Sequence, residues 1–382
     1  MRSVYFDNAA TTPMHPEVVK VMQKSMLDNF GNPSSTHHTG RKAKVAIEKA
    51  RKDIASHFNV PASQFIFTSS GTEANNLILN NAVLNLGVKR IITSKIEHKA
   101  VLEVVESLAD KYEIELCFVD VNRNGSIDLK DLEIKLAQSP NVKTLVSLMM
   151  LNNEIGTILP IKEVSILCKE NGALFHSDTV QVIGHYELDL SSVEVDFIVA
   201  SAHKFHGPKG IGFLYFSKNY FIQPMIVGGG QERGIRSSTE NVHGILGMQK
   251  ALEISIKEME VDKSEILKVK TYFLSELQKN FPDITTNGIL DNDLCTSYSI
   301  VNVRFPVTDK MFLFNLDLKG VAASAGSACQ SGASKVSHVL KEILTDEEIS
   351  KTSIRFSFSK FSTLKEVDYV IEKMKEIFYK NH

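Results

Sequence analysis

Between about residues 40 and 216 the chain alternates short apolar runs with amphipathic stretches, a pattern that predicts a succession of strands and helices. The stretch Arg41 to Phe58 places Ala46, Ile47, Ala50, Ile54 and Phe58 on one helical stripe, after the polar run NPSSTHHTG. Strand-like runs follow at 64–69, 90–94, 114–120 and 144–151, with helical patterns at 72–86, 97–110 and 128–138 between them. A helix at IKEVSILCKENG and short strands at ALFHSD, DFIVAS and GIGFLYF complete the series. These strand runs are apolar throughout instead of alternating, as expected when helices cover both faces of a parallel sheet. The expected fold class is α/β, a mostly parallel sheet between helices.

Beyond residue 257 the pattern changes. A charged helix over 261–280 precedes the strand-like TSYSIVNVRF (296–305), and a second, smaller β-α set follows. It comprises a helix near 308–318, a strand near 320–323, a loop of small residues, the strand SIRFSF and an amphipathic helix at 363–380. This predicts a large domain over 13–256 and a smaller α+β domain made of 1–12 with 257–382.

Composition narrows the class without naming a chemistry. The 382 residues suffice for two cores, and 43% hydrophobic with 23% charged residues is ordinary for a soluble globular chain. A net charge of -2 without a lysine/arginine tract gives no reason to expect nucleic acid or an anionic membrane as partner. No window approaches the roughly 18 apolar residues of a membrane span, and MRSVYFDNAATTP does not read as a signal peptide. Cys117, Cys168, Cys295 and Cys329 are widely separated with no C-x-x-C pair, so neither a metal site nor a disulfide framework is expected. A reducing, cytoplasmic setting follows as the expectation.

The candidate chemistry sits at strand ends, where open α/β sheets bind ligands. The clusters SSGTE, SKIEH, LNNE, HSDTVQ and SAHK all fall there. Lys204 follows the apolar strand DFIVA and small residues, so its amine can project into a cleft and form an imine with an aldehyde cofactor. In isolation it would read as a turn lysine; the neighbouring clusters change that. Asp178 ends the preceding strand and offers the carboxylate that a pyridoxal phosphate ring nitrogen requires, with Gln181 placed to donate to the ring's phenolic oxygen. Gly71 and Thr72 open a helix after a strand, a site suited to phosphate, while Ser70 and Glu73 also fit a plain capping box. His98, at the start of the next helix, can stack on a planar ring and carry protons near neutral pH. Cys329 lies within AASAGSACQSGAS (322–334), a run that resists packing and would leave a thiol accessible for nucleophilic attack. Arg355 can clamp a carboxylate bidentately, its plainer alternative being a surface ion pair.

Taken together the motifs resemble the cysteine desulfurases, in the class V branch of fold-type I pyridoxal-phosphate enzymes. The resemblance runs in order through YFDNAATTP, FGNPSSTH, TSSGTEANN, SKIEHKAV, LNNEIGT, HSDTVQ, SAHKFHGPKGIG, GGGQERGIRSSTEN, SAGSACQS and SIRFSFSKF, covering essentially the whole chain. It implies a homodimer whose sites lie at the subunit interface, converting L-cysteine to L-alanine and passing sulfur to an acceptor protein such as an iron–sulfur scaffold, for iron–sulfur cluster assembly or for thiolation. It maps Lys204 to the Schiff base, Asp178 to the pyridine nitrogen, Gln181 to the phenolic oxygen and His98 to the stacking residue. Gly71, Thr72, Ser201 and His203 match phosphate-binding positions, with Thr239 supplied to the partner subunit's site. Asn153 and Arg355 match positions that hold the substrate carboxylate, Asn153 also touching the cofactor, and Cys329 matches the persulfide-forming cysteine. Three departures stand out: Ser238 where glycine is usual, Lys360 where arginine is commoner, and a chain ending at His382 without the longer tail of some members. A selenocysteine lyase or other class V enzyme is the nearest alternative, and a catalytically silent assembly partner the remote one.

Overall fold

The structure, a computed structural model, describes residues 3–289, 295–326 and 336–381. Its strands are β1 (Val4–Tyr5), β2 (Phe65–Thr68), β3 (Arg90–Ser94), β4 (Glu115–Val119), β5 (Thr144–Ser147), β6 (Leu174–Asp178), β7 (Phe197–Ser201), β8 (Gly212–Phe216), β9 (Thr285–Asn287), β10 (Ile300–Arg304), β11 (Val321–Ala322) and β12 (Ser353–Ser357). Its helices are α1 (Pro16–Asp28), α2 (His38–Ser56), α3 (Gly71–Leu84), α4 (Lys99–Lys111), α5 (Leu129–Ala137), α6 (Ile161–Glu170), α7 (Val242–Asn280), α8 (Phe312–Leu318), α9 (His338–Ile343), α10 (Asp346–Ile349) and α11 (Leu364–Asn381).

Seven strands form the central sheet in the order β2-β8-β7-β6-β5-β3-β4. All neighbours are parallel except β8, which runs antiparallel to both β7 and β2. The uninterrupted apolar strands now have a physical account. Successive residues of β7 face opposite cores: Ile198 and Ala200 join one with α2 and α7, and Phe197 and Val199 join the other with α3 and α4. Phe213 and Tyr215 of β8 likewise face the first core, Leu214 and Phe216 the second. Neither face meets water, so neither set of positions is polar.

A further core gathers Phe6, Phe273, Phe356 and Phe358 with residues of α11, under the antiparallel sheet β12-β10-β9 and the parallel pair β1-β11. One helix serves both regions. Ile245, Met248 and Leu252 of α7 enter the first core, whereas Ile266, Val269, Phe273 and Leu277 enter the last.

Three readings of the pattern need correction. The helix expected from 261 begins at Val242 and runs unbroken to Asn280, through position 257. Its early turns hold Gly244 and Gly247, which weaken the helical signal. A Cβ at Gly247 would lie 2.8 Å from the Met22 side chain of α1, so glycine lets the two helices approach closely. Helix α1 itself was not foreseen, although Pro16 at its first turn and the His15 cap mark its start. Strand β5 stops at Ser147 and not at 151, yet the Leu148 and Met150 N–H groups still donate to the His176 and Asp178 carbonyls, keeping the chain alongside β6.

Candidate active site

The parallel strands deliver their carboxyl ends to a cavity of about 170 Å³. Lining it are Gly71, Thr72, His98, Asn153, Asp178, Gln181, Ser201, His203, Lys204 and Arg355, all of them expected from the sequence. Two expected residues are not brought there. Thr239 is exposed and lines a separate hollow with Ser69 and Arg236. Cys329 lies outside the described residues.

Each lining group has a local cause. Ser70 caps α3, its hydroxyl accepting from the Glu73 N–H at 3.2 Å. Glu73 departs from a capping box: it accepts from Ser69 N–H at 2.8 Å and pairs with Arg236 at 2.8 Å. The first N–H groups of a helix lack intrahelical acceptors, which leaves those of Gly71 and Thr72 for anion oxygens. A Cβ on Gly71 would sit 2.6 Å from Val180, and one on Gly212 2.3 Å from the Ala200 carbonyl. Only glycine lets this turn close against β7 and β8.

In the same cavity Asp178 is buried with two donors, Asn75 Nδ2 at 2.8 Å and the Val180 N–H at 3.0 Å. The two donors fix the direction of its carboxylate, Asn75 on Oδ2 and the Val180 N–H on Oδ1. Asn75 was not singled out from sequence; it lies one turn after Gly71 on the same face of α3, and that spacing was the available signal. Helix α3 thus carries both the phosphate-type cradle and the amide that aims the carboxylate.

Lys204 follows β7 on a short 3-10 turn and donates through Nζ to the Ala9 and Ala10 carbonyls at 2.7 and 2.9 Å. Gln181 Nε2 donates to the same Ala9 carbonyl at 2.9 Å. The DNAATT segment therefore closes the site, a role its sequence motif carried but spacing alone could not assign. Thr12 secures it, with its N–H and hydroxyl both donating to the His203 carbonyl at 2.9 Å.

His98 caps α4, its Nδ1 accepting from the Ala100 N–H at 3.1 Å, so the proton of the neutral ring resides on Nε2. Burial lowers its pKa; Asp178 opposes that shift and Lys204 reinforces it. His203 is pushed down to about 4, first by burial and then by Lys204 and Lys209. Behind His98, burial holds Glu97 well above the usual carboxylate range.

Arg355, on β12, is fully buried, which excludes the surface ion pair. Nη2 pairs with Asp7 at 2.7 Å and Nη1 donates to the Asn153 carbonyl at 2.8 Å. Its Nε is buried without an acceptor. An unpaired buried donor is costly; Arg355 itself is among the residues that line the cavity.

The residues fit pyridoxal phosphate: an amine, a buried carboxylate, and a helix N-terminus whose first residue is a glycine packed too closely against Val180 for a Cβ. The sequence profile of the family described as aminotransferase class-V matches residues 4–370. The chain belongs to that family, whose members depend on pyridoxal phosphate. A cysteine desulfurase IscS of Dictyoglomus turgidum is 42% identical over 382 residues, 99% of this chain and 95% of that protein. One of Methanosarcina thermophila is 40% identical over 382 residues, covering 99% and 93%. The solved NifS-like protein of Rickettsia africae superposes with a TM-score of 0.88 at 35% identity, covering 99% of this chain and 100% of its own. The fold is that of fold-type I enzymes.

Two family departures find explanations in the structure. Ser238 keeps a glycine-like backbone, with φ of +140°, so the loop geometry is retained under strain. Lys360 is largely buried and bridges Glu258 at 2.7 Å and Asp262 at 2.9 Å, tying the turn after β12 to α7.

Proposed function

We propose that the protein is a cysteine desulfurase that converts L-cysteine to L-alanine and leaves the sulfur on Cys329 as a persulfide for an acceptor such as an iron–sulfur scaffold. The observation that carries this reading is the convergence of Lys204, Asp178 and Arg355 on one cavity. Gly71, Thr72, Ser201 and His203 would hold the cofactor phosphate, Asp178 its ring nitrogen and Gln181 its phenolic oxygen, with His98 against its ring. Held there, pyridoxal phosphate supplies an electron sink for the pair released at the substrate Cα.

The chain's own groups do the rest. Arg355 and Asn153 take the substrate carboxylate. The Lys204 amine removes the Cα proton, and the Ala9 and Ala10 carbonyls hold the resulting ammonium in place. His98, with its proton on Nε2, moves a proton within the cavity. The Cys329 thiolate attacks the substrate sulfur. The substrate C–S bond breaks, an S–S bond forms, and the carbon keeps the electron pair and gains a proton to become a methyl group.

Residues 13–256 form one domain and 1–12 with 257–382 the other, sharing α7. Two copies associate, so that Thr239 of each reaches the other's cofactor; its exposure outside its own cavity supports this. The setting is cytoplasmic, where a reducing pool keeps Cys329 free; among the described residues no helix is long and apolar enough to cross a membrane.

Single-turnover alanine formation and mass analysis of the chain after L-cysteine test the proposal. Wild type should gain one sulfur on Cys329, and Cys329→Ala should gain none while L-cysteine still perturbs the cofactor absorption. Full persulfide-dependent turnover by Cys329→Ala would overturn the assignment.

A further inference from the structure

Asp7 belongs to none of the groups assigned above, yet three chain segments meet on its carboxylate. Oδ1 accepts from Arg355 Nη2 at 2.7 Å, and Oδ2 accepts from the Ser324 hydroxyl at 2.8 Å. Ser324 is in turn tied to β12, its N–H donating to the Arg355 carbonyl at 3.2 Å and its carbonyl accepting from the Arg355 N–H at 2.7 Å. Asp7 is fixed from its own side by a bridge to Ser357.

We propose that Asp7 is a positioning residue for substrate recognition: one oxygen aims Arg355 at the substrate carboxylate, and the other holds Ser324, the root of the segment that leads to Cys329. The inference rests on the reading that Arg355 binds that carboxylate.

The geometry of a guanidinium carries the first half. It is planar, with its donors in a fixed fork. With Nη1 held by Asn153 and Nη2 by Asp7, the guanidinium plane cannot rotate, and Arg355 meets the cavity in one orientation. Removing Asp7 frees one arm and leaves a buried cation short of its counter-charge, so the fork loses its aim. The reach of the chain carries the second half. Cys329 is five residues beyond Ser324, and at about 3.3–3.6 Å per residue it can extend no more than about 18 Å from that anchor. Where Ser324 is pinned therefore bounds where the thiol can act.

The two hands separate experimentally in the holoenzyme. Binding of L-cysteine and of cysteamine, which lacks the carboxylate, is read from the change each causes in cofactor absorption, and turnover from alanine release. Asp7→Asn should weaken L-cysteine binding about tenfold, or about 1.4 kcal/mol, and leave cysteamine within about twofold. Ser324→Ala should leave the KM for L-cysteine unchanged within about twofold and slow persulfide formation about threefold or more, on the scale of one neutral hydrogen bond. Asp7→Ala, if folded, should exceed Asp7→Asn in the same direction. Arg355→Lys is the control for the underlying reading: if it fails to discriminate the two amines, that reading has failed. If Arg355→Lys discriminates and Asp7→Asn does not, or Ser324→Ala raises KM as Asp7→Asn does, the inference about Asp7 is wrong while the reading of Arg355 stands.

Discussion

Replacing Asn75 with alanine is the sharpest test of how the cofactor carboxylate is held. Asn75 is buried in the interior of α3, and its amide donates to Asp178 Oδ2 at 2.8 Å. The only other donor found to that carboxylate among the described residues is the Val180 N–H at 3.0 Å. A hydrogen bond to a charged group contributes about 1.5–3 kcal/mol. Some of this is returned on truncation, because the Asn75 Oδ1 is itself buried without a donor. A net loss of about 1–2 kcal/mol is expected, which is about a 5- to 30-fold rise in the dissociation constant of pyridoxal phosphate. The sign is informative because alanine is the better helix former by about 0.5 kcal/mol. If the amide merely filled space, the variant would be more stable and would bind the cofactor unchanged. Absorbance titration of the apo chain measures the affinity, and urea unfolding of the same sample measures the stability. An affinity within about twofold of wild type would refute the claim that Asn75 aims Asp178.

Two further outcomes concern the scaffold. Ser238→Gly relieves a non-glycine residue at φ of +140°; set against glycine's entropic cost, it should stabilise by about 1 kcal/mol and raise the thermal midpoint by about 1–2 °C, and a lower midpoint would contradict the strain. His206 is pushed down to about 4, chiefly by burial against the opposing pull of the Pro13 carbonyl, so it is neutral in the folded chain while the unfolded chain takes up its proton below about 6.5. Its contribution is therefore lost as pH falls from about 6.5 to about 4, at up to about 1.4 kcal/mol per pH unit. His206→Asn tolerates the positive φ of 62° and keeps a donor for the Pro13 carbonyl at 2.8 Å. Urea midpoints across this range should fall less steeply for the variant, and equal slopes would refute the reading.

Much of the molecule was legible in the order of its residues. The strands were readable because both faces of the sheet are buried, and the cofactor residues because strand ends in an open α/β fold are where ligands bind. Lys204, Asp178, Gln181, His98 and the Gly71–Thr72 turn each end a strand, follow one within three residues or stand at the start of a helix, so local pattern sufficed to single them out. The start of helix α7 is hidden from the pattern because Gly244 and Gly247 dilute its signal, and only the structure shows Gly244 against its cap residue Asn241 and Gly247 against Met22 of α1.

What the sequence alone determined is the chemistry available: an amine, a carboxylate, an imidazole, a phosphate-type helix start and a thiol. Tertiary structure decided how these groups are held. Asp7, Ala9 and Ala10 lie nearly two hundred residues or more from the side chains they fix. Asn75 is 103 positions from Asp178. No periodicity links such distant positions, because their partnership arises from packing across the sheet and not from neighbouring backbone. The same physics buried Arg355, the expected carboxylate clamp, and so excluded the plainer alternative of a surface ion pair. Residue type named the reactions open to this chain, and burial and long-range contact chose the geometry in which they run.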